Sequence, residues 1–207
     1  MSGTFNDIDV PPTLCSFAVD TADVHDIITP ELKNAGDKLV YFWIAKDLYD
    51  LPDYEQVMKL YDTVHKLIKG KAIISAYVTD CYGPVAAISK MAFGNKLGVK
   101  LHVDGGSPTN AFKAYPCCII AEVAAENMDA IDQAMTENGL SDFYSVIGEV
   151  TDDRMFAIDD VSFTASEALD AWKAPLEGVF ATKADDDKTP VKSELHDEKN
   201  IYVCKNR

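Results

Sequence analysis

No apolar run in this sequence approaches the roughly 18 residues that a membrane-crossing helix needs. The N-terminus lacks the basic-then-apolar pattern of a secretory leader. An excess of cations is missing too. Lys and Arg number 19 against 34 Asp and Glu, for a net charge of −15 and a pI near 4.5. Nucleic-acid backbone needs a basic face that displaces counterions, and this balance argues against such a partner. The five cysteines (Cys15, Cys81, Cys117, Cys118, Cys204) form no CxxC pair. The four histidines (His25, His65, His102, His196) are scattered without ligand spacing, which speaks against a zinc site. Cys117 and Cys118 fall in an apparent strand, where neighbouring side chains point to opposite faces. Most of the cysteines therefore read as small buried hydrophobes in a reducing, cytoplasmic setting.

What remains is a soluble globular composition, with 47% hydrophobic and 26% charged residues over 207 positions. That length suits one domain, or one domain with an extension. Such a chain buries roughly 70% of its unfolded surface, enough for a core.

One stretch stands out. Residues 72–98 read as a strand at Ala72–Val78, a polar break at Thr79–Tyr82, and a helix opened by Gly83-Pro84 and ended by Gly94-Asn95. The strand is apolar enough to be buried on both faces. Proline early in a helix costs no hydrogen bond. Val85, Ile88, Met91 and Ala92 recur at helical spacing and make one buried face. A helix that starts just after a strand aims its free N–H groups at the loop, a place where anions bind. Thr79, Asp80 and Gly83 are thus candidate phosphate or nucleotide contacts. The competing reading is ordinary turn chemistry with water outside it.

The rest of the chain supplies a frame. Residues 1–12 form a polar N-terminal lead-in closed by Pro11-Pro12. Thr13–Val19 predicts a first strand, Thr29-Pro30-Glu31 a short capped helical turn, and Lys38–Ala45 a central strand. Asp53 with Gln56 resembles a capping box for the longest helix, which Gly70 stops. Val57, Leu60, Tyr61, Val64, Leu67 and Ile68 give that helix its core stripe. Tyr61 and Met58 read as packing residues, and His65 as a structural histidine. Val99–Val103 and Cys117–Val123 predict strands, Thr109–Ala114 a short helix, and the Gly-rich Asp104–Pro108 run a turn. Asn127 opens a helix that closes at Asn138-Gly139. Strands follow over 143–150 and 154–163, and a last helix lies within Ser162–Glu177. From about residue 181 the chain turns polar, and its acids and bases cancel, so the −15 sits on residues 1–180. The tail reads as a linker, with IYVC at 201–204 a short strand. Alternating strands and helices followed by a hairpin indicate an α/β or α+β fold with a mixed sheet covered by helices.

Three segments resemble one known family, phosphoribosylformylglycinamidine synthase of the long, glutaminase-fused type. They are SGTFNDIDVPPTLCSFAV near the start, AISKMAFGNKLGVKL in the middle and WKAPLEGVF near residue 180. The resemblance implies a C-terminal-type domain of the aminoimidazole ribonucleotide synthetase-related superfamily. That domain is a three-layer α/β/α fold with a mixed sheet, partly ferredoxin-like. It implies a domain over 13–180 and a linker over 181–207 toward a glutaminase domain. It further implies an ATP- and glutamine-dependent ligase of purine synthesis acting on a ribonucleotide substrate. ATP and Mg²⁺ would serve the full-length enzyme, with none held tightly by this fragment. The partners would be the ATP-site and glutaminase domains of the same chain, and the fragment alone would be inactive.

The likeness has gaps. Family members carry a His-Asp-x-Ser-Asp-Gly-Gly-Leu run where this chain has Tyr77 to Pro84, and only Gly83 matches in place. The carboxylate expected on Mg²⁺ falls at Cys81, with Asp80 next door as the best remaining ligand. A later acidic run is replaced by Phe112 to Pro116. Two alternatives stand beside the enzyme-part reading. One is a non-catalytic packing module of the same synthase. The other is a domain of a related enzyme, such as selenophosphate synthetase or thiamine-phosphate kinase.

Overall fold

Seven strands in one mixed sheet organise the protein, whose computed structural model describes residues 3–102, 112–113 and 117–182. By internal contacts the chain divides into two units, residues 1–168 and 169–207.

The first unit opens with a hairpin of β1 (Gly3–Phe5) and β2 (Ile8–Val10) where the sequence suggests a loop. The large sheet follows: β3 (Lys38–Phe42), β4 (Ile73–Val78), β5 (Gly98–Leu101), β6 (Ile119–Val123), β7 (Tyr144–Thr151), β8 (Met155–Ile158) and β9 (Val161–Thr164). Their order across the sheet is β4-β6-β3-β7-β5-β8-β9. Every pairing is antiparallel except β5 with β8, which is parallel. The mixed sheet and an interior β3 agree with the sequence. β4, however, is an edge strand and not buried on both faces, and its burial fades toward an exposed Val78.

Helices cover both faces, giving three layers. On one face lie α1 (Tyr54–Lys69) and α3 (Met128–Glu137), which pack Leu60, Val64, Leu67, Ile131 and Met135 against Val40, Phe42, Ile73, Ala121 and Val123. Side chains of this size contribute about 1.5–3 kcal/mol each when fully buried. On the other face, α2 (Gly83–Asn95) presses Val85, Ile88 and Met91 against Leu39, Val99, Leu101, Ile120 and Phe156. Ala165, at the start of α4 (Ala165–Glu177), joins this second cluster.

Local chemistry explains the helix ends. The Asp53 carboxylate accepts from the N–H groups of Glu55 and Gln56 at 3.0 and 3.1 Å, as an N-cap should. Gln56 does not complete a capping box. Its side-chain oxygen instead accepts from Ala45 N–H, while Asp53 N–H goes to the Ala45 carbonyl. Gly70 ends α1, and Lys96 ends α2 in a left-handed conformation.

Other expectations fail for physical reasons. Thr13–Val19 forms no strand. Leu14, Phe17 and Val19 are almost fully exposed, and among the described residues no strand pairs with this run. Thr29-Pro30-Glu31 is a bend, and the nearby helical turn is a 3-10 turn at Val24–Asp26 capped by Asp23. Met58 and His65 are exposed on α1, so neither is the packing or structural residue expected, and Tyr61, expected in the core stripe, is also largely outside it. Asn127 precedes α3 without a side-chain cap. The Gly-rich 104–108 run, most of 109–114 and the IYVC stretch lie outside the described residues.

In the second unit, Leu169–Glu177 continues α4 through Pro175. Lys173 and Asp170 pair at 3.5 Å. Thr182 donates its N–H and hydroxyl to Glu177 just past the helix end.

Candidate functional site

The C-terminal ends of β3 and β4 and the start of β6 share one end of the sheet, since Phe42 and Val78 both pair with Ile119. The loops that leave this end bring Thr79, Asp80 and Gly83 together. Thr79 is buried, and both its N–H (2.9 Å) and its hydroxyl (3.3 Å) donate to the Cys118 carbonyl. This clasp ties the β4 exit to the β6 entrance.

Asp80 organises the turn. One carboxylate oxygen accepts from Tyr82 N–H at 2.8 Å, and the other accepts from the Lys90 ammonium at 2.6 Å. Its carbonyl receives Gly83 N–H at 3.1 Å. The Lys90 hydrogen bond, helped by Tyr82 N–H, holds the Asp80 carboxyl below its ordinary range. Lys90 is pushed up in turn, chiefly by Asp80, and stands 5.8 Å from the centre of the Tyr77 ring.

Gly83 has φ +80°, a backbone state that favours glycine. A Cβ placed there would lie 2.7 Å from the Phe112 backbone and 2.9 Å from that of Lys113. The 112–113 segment therefore sits directly against the opening of α2, where Gly83, Pro84 and Val85 are buried. The sequence finds the three residues. It does not find that Phe112 and Lys113 close over one of them.

Around this end stand further polar and aromatic groups. Burial pushes the Cys118 thiol up, against an opposing hydrogen bond with Tyr41. Burial also raises Tyr61, with Cys117 beside it adding to the effect. Tyr41 and Trp43 lie 5.6 Å apart, ring centre to ring centre. Cys117 and Cys118 precede β6 instead of lying within it, and Cys117 has φ +63°. Of the described cysteines only Cys118 is buried; Cys117 is half-buried, and Cys15 and Cys81 are exposed, contrary to the expectation of buried thiols.

Mg²⁺ usually takes one or two carboxylates along with phosphate oxygens. Both Asp80 oxygens are already engaged, so a metal ion there would have to displace Lys90. Among the described residues no group of three or more His, Cys, Asp or Glu is placed to hold a metal. The arrangement fits a fixed, charged loop better than a metal ligand set.

Sequence reasoning missed a second polar centre. Glu122, in the apolar run Ile119–Val123, is fully buried. Its carboxylate accepts from the N–H groups of Lys33 (2.8 Å) and Asn34 (2.9 Å), while the Asn34 side chain donates to Asp37 at 3.1 Å. Burial lifts Glu122 to about 7, the two N–H donors oppose that, and nearby Asp37 adds to it. The centre straps residues 30–37 onto the sheet. Ser75 hydroxyl to Pro30 carbonyl (2.9 Å) and Asn95 side chain to Leu32 carbonyl (2.8 Å) complete the strap. The signal available was a lone acid inside an otherwise apolar strand.

No family model matches the sequence. Its structure is similar to solved chains from Thermotoga maritima. PurL complexed with FGAR superposes with a TM-score of 0.60 at 12% identity, covering 70% of this chain and 29% of that one. PurL complexed with ATP gives 0.61 at 12%, covering 69% and 27%. PurLQS gives 0.61 at 13%, covering 70% and 28%. The chain thus has the mixed α/β fold of a part of PurL, and it spans less than a third of the length of those chains.

Proposed function

We propose that this domain forms one wall of the ribonucleotide or nucleotide cleft of an ATP- and glutamine-dependent ligase that makes formylglycinamidine ribonucleotide. The observation that carries the reading is the Thr79–Gly83 turn. It is fixed by Asp80 and Lys90 at the mouth of α2, within a fold shared with PurL chains complexed with FGAR and with ATP. The Thr79, Tyr82 and Gly83 N–H groups are already bonded, so what the turn offers a ligand is a preformed shape and the Asp80–Lys90 charge pair, without reorganisation. Its neighbours would be an ATP-site domain and a glutaminase domain of the same chain, with residues 13–180 the domain proper and 181–207 the linker. ATP would supply the activating phosphoryl chemistry when bound. This chain's own residues contribute the turn, the Asp80–Lys90 charge pair and the shape of the wall, with Asp80 held as a salt-bridge partner.

Titration of formylglycinamide ribonucleotide and of ADP against the intact enzyme and its Asp80→Asn variant tests this reading. Weaker binding of either ligand to the variant supports it, and unchanged affinity and turnover remove the turn from the site. Gly83→Asp is the poorer probe, because any side chain there meets the backbone of Phe112 and Lys113.

A second reading, a packing module of the same synthase, is favoured by the exposed apolar side chains of Leu14, Phe17, Val19, Leu48, Tyr49 and Met58. Neighbouring exposed apolar groups such as Leu48 and Tyr49 mark surfaces that another protein covers. The two readings part on ligand binding by the Asp80 variant.

A further inference from the structure

We infer that the 46–52 turn and the outer stripe of α1 form a docking surface for a protein segment with aliphatic anchors flanked by Lys or Arg. Five large apolar or aromatic residues between positions 48 and 58 are exposed, Leu48, Tyr49, Leu51, Tyr54 and Met58, and Tyr61 at their edge is partly covered beside Cys117. Tyr54, Met58 and Tyr61 recur at one-turn spacing, so they share a stripe of α1. That stripe lies beside the Leu60, Val64 and Leu67 stripe that serves the core. Tyrosine and methionine are the residue types that anchor partner proteins, methionine because its chain adapts its shape.

The preceding turn is rigid. Lys46 bridges Pro52, Asp47 N–H donates to the Leu51 carbonyl at 2.9 Å, and the Asp47 carboxylate accepts from Tyr49 and Leu51 N–H at 2.8 and 2.9 Å. Leu48 and Tyr49 are therefore presented by a preformed frame, which lowers the ordering cost of binding. A cavity of about 240 Å³ opens in the same turn, lined by Ala45, Lys46, Asp47, Leu51, Pro52 and Asp53.

Charge selects the partner. Asp47, Asp50, Asp53 and Glu55 border the apolar residues against Lys46 and Lys59, while Asp62 is paired with Lys66 at 2.6 Å. Lys46 is drawn to Asp50 at 3.7 Å. An acidic border on a chain of net charge −15 repels a second copy and attracts a cationic one. The cavity has an aliphatic wall in Leu51 and Pro52 and two acids, Asp47 and Asp53, against one cation, Lys46, which is drawn toward Asp50, so its net charge suits the stem and head of an arginine or lysine. None of this involves Thr79, Asp80 or Gly83, so the inference is separate from the ligase reading, and through Leu48, Tyr49 and Met58 it deepens the packing-module reading.

The test uses the full chain and two synthetic helical peptides with identical leucine positions, one carrying arginines on its polar face and one glutamates. Fluorescence anisotropy of a dye-labelled peptide measures affinity for wild type and variants, and NMR of the Met58 methyl in the wild-type chain reports where the peptide sits. The arginine peptide should shift that resonance, and Tyr54→Ser with Met58→Ser should weaken binding at least about tenfold. Asp160→Asn with Glu126→Gln, which removes two exposed charges elsewhere, should change affinity by less than about twofold, as expected of screened distant charges. Equal binding of both peptides, no binding of the arginine peptide, or full binding by the Tyr54/Met58 variant would overturn the inference. So would self-association in sedimentation that the same double variant abolishes, because a second copy would then cover the surface.

Discussion

Asp80 and Lys90 meet at 2.6 Å across the first turns of α2, with Lys90 set beside the Tyr77 ring. The pair locks the turn after β4 to the helix that follows it. Both side chains keep partial contact with water, so the coupling is screened to about 0.5–1 kcal/mol. A double-mutant cycle with Asp80→Asn and Lys90→Met, read by urea unfolding, should return a coupling of that size. Strict additivity would show that the contact contributes nothing to the turn.

The pH dependence of the same pair follows from its direction. The Asp80 carboxyl is held low in the folded state, chiefly by Lys90. Its contribution is therefore present above the unfolded carboxylate pKa and is lost as pH falls through the folded value. Wild type and Asp80→Asn should differ in stability at neutral pH and converge in acid. A gap that widens toward acid would contradict this.

Glu122 titrates with the opposite sign. Burial lifts it from 4.5 to about 7 in the folded protein. The native state thus holds a proton that the unfolded chain has released across that window. Stability from this group is complete below the unfolded value and is lost as pH rises through about 7. The total is on the order of 3 kcal/mol by the usual conversion. Glu122→Gln should remove this slope, so wild-type and variant unfolding free energies plotted against pH should diverge between about 4.5 and 7. Parallel curves would mean that Glu122 stays ionised behind Lys33 and Asn34.

At Gly83 the cost is steric. Alanine there must hold φ near +80° and push the backbone of Phe112 and Lys113 away. Gly83→Ala should lower stability by more than about 1 kcal/mol, measured by thermal or urea unfolding. A neutral result would show that the 112–113 segment yields easily.

The long exposed run before the sheet gives a fifth check. Leu14 and Phe17 are nearly fully accessible and belong to no strand, so chymotrypsin should cut there before it cuts any part of the seven-stranded sheet. First cleavage inside β3 or β6 would contradict the described arrangement.

These residues also show what the sequence reveals by itself. Asp53 and Gly70 bound α1 through local hydrogen bonding, and Gly83-Pro84 opens α2 for equally local reasons; such features are legible in a window of a few residues. The 13–19 run has the composition of a strand, but a strand exists only with a neighbour to bond, and the sheet ends at β4 and β9. Whether β4 is central or at an edge is likewise decided by pairings across forty or more residues. Thr79, Asp80 and Gly83 were nameable as a group. That Asp80 would be paired with Lys90, or that Glu122 would meet Lys33 and Asn34 from 89 and 88 residues away, is set only by the tertiary fold.

Hydrogen exchange at the amides of Asp80, Cys81, Tyr82 and Gly83 in the intact enzyme, with and without formylglycinamide ribonucleotide or ADP, tests the proposed cleft wall most directly. Slowed exchange at these amides on adding either ligand is the expected result. Unchanged exchange there, with protection appearing elsewhere in the enzyme, would contradict the assignment of this turn to the ligand site.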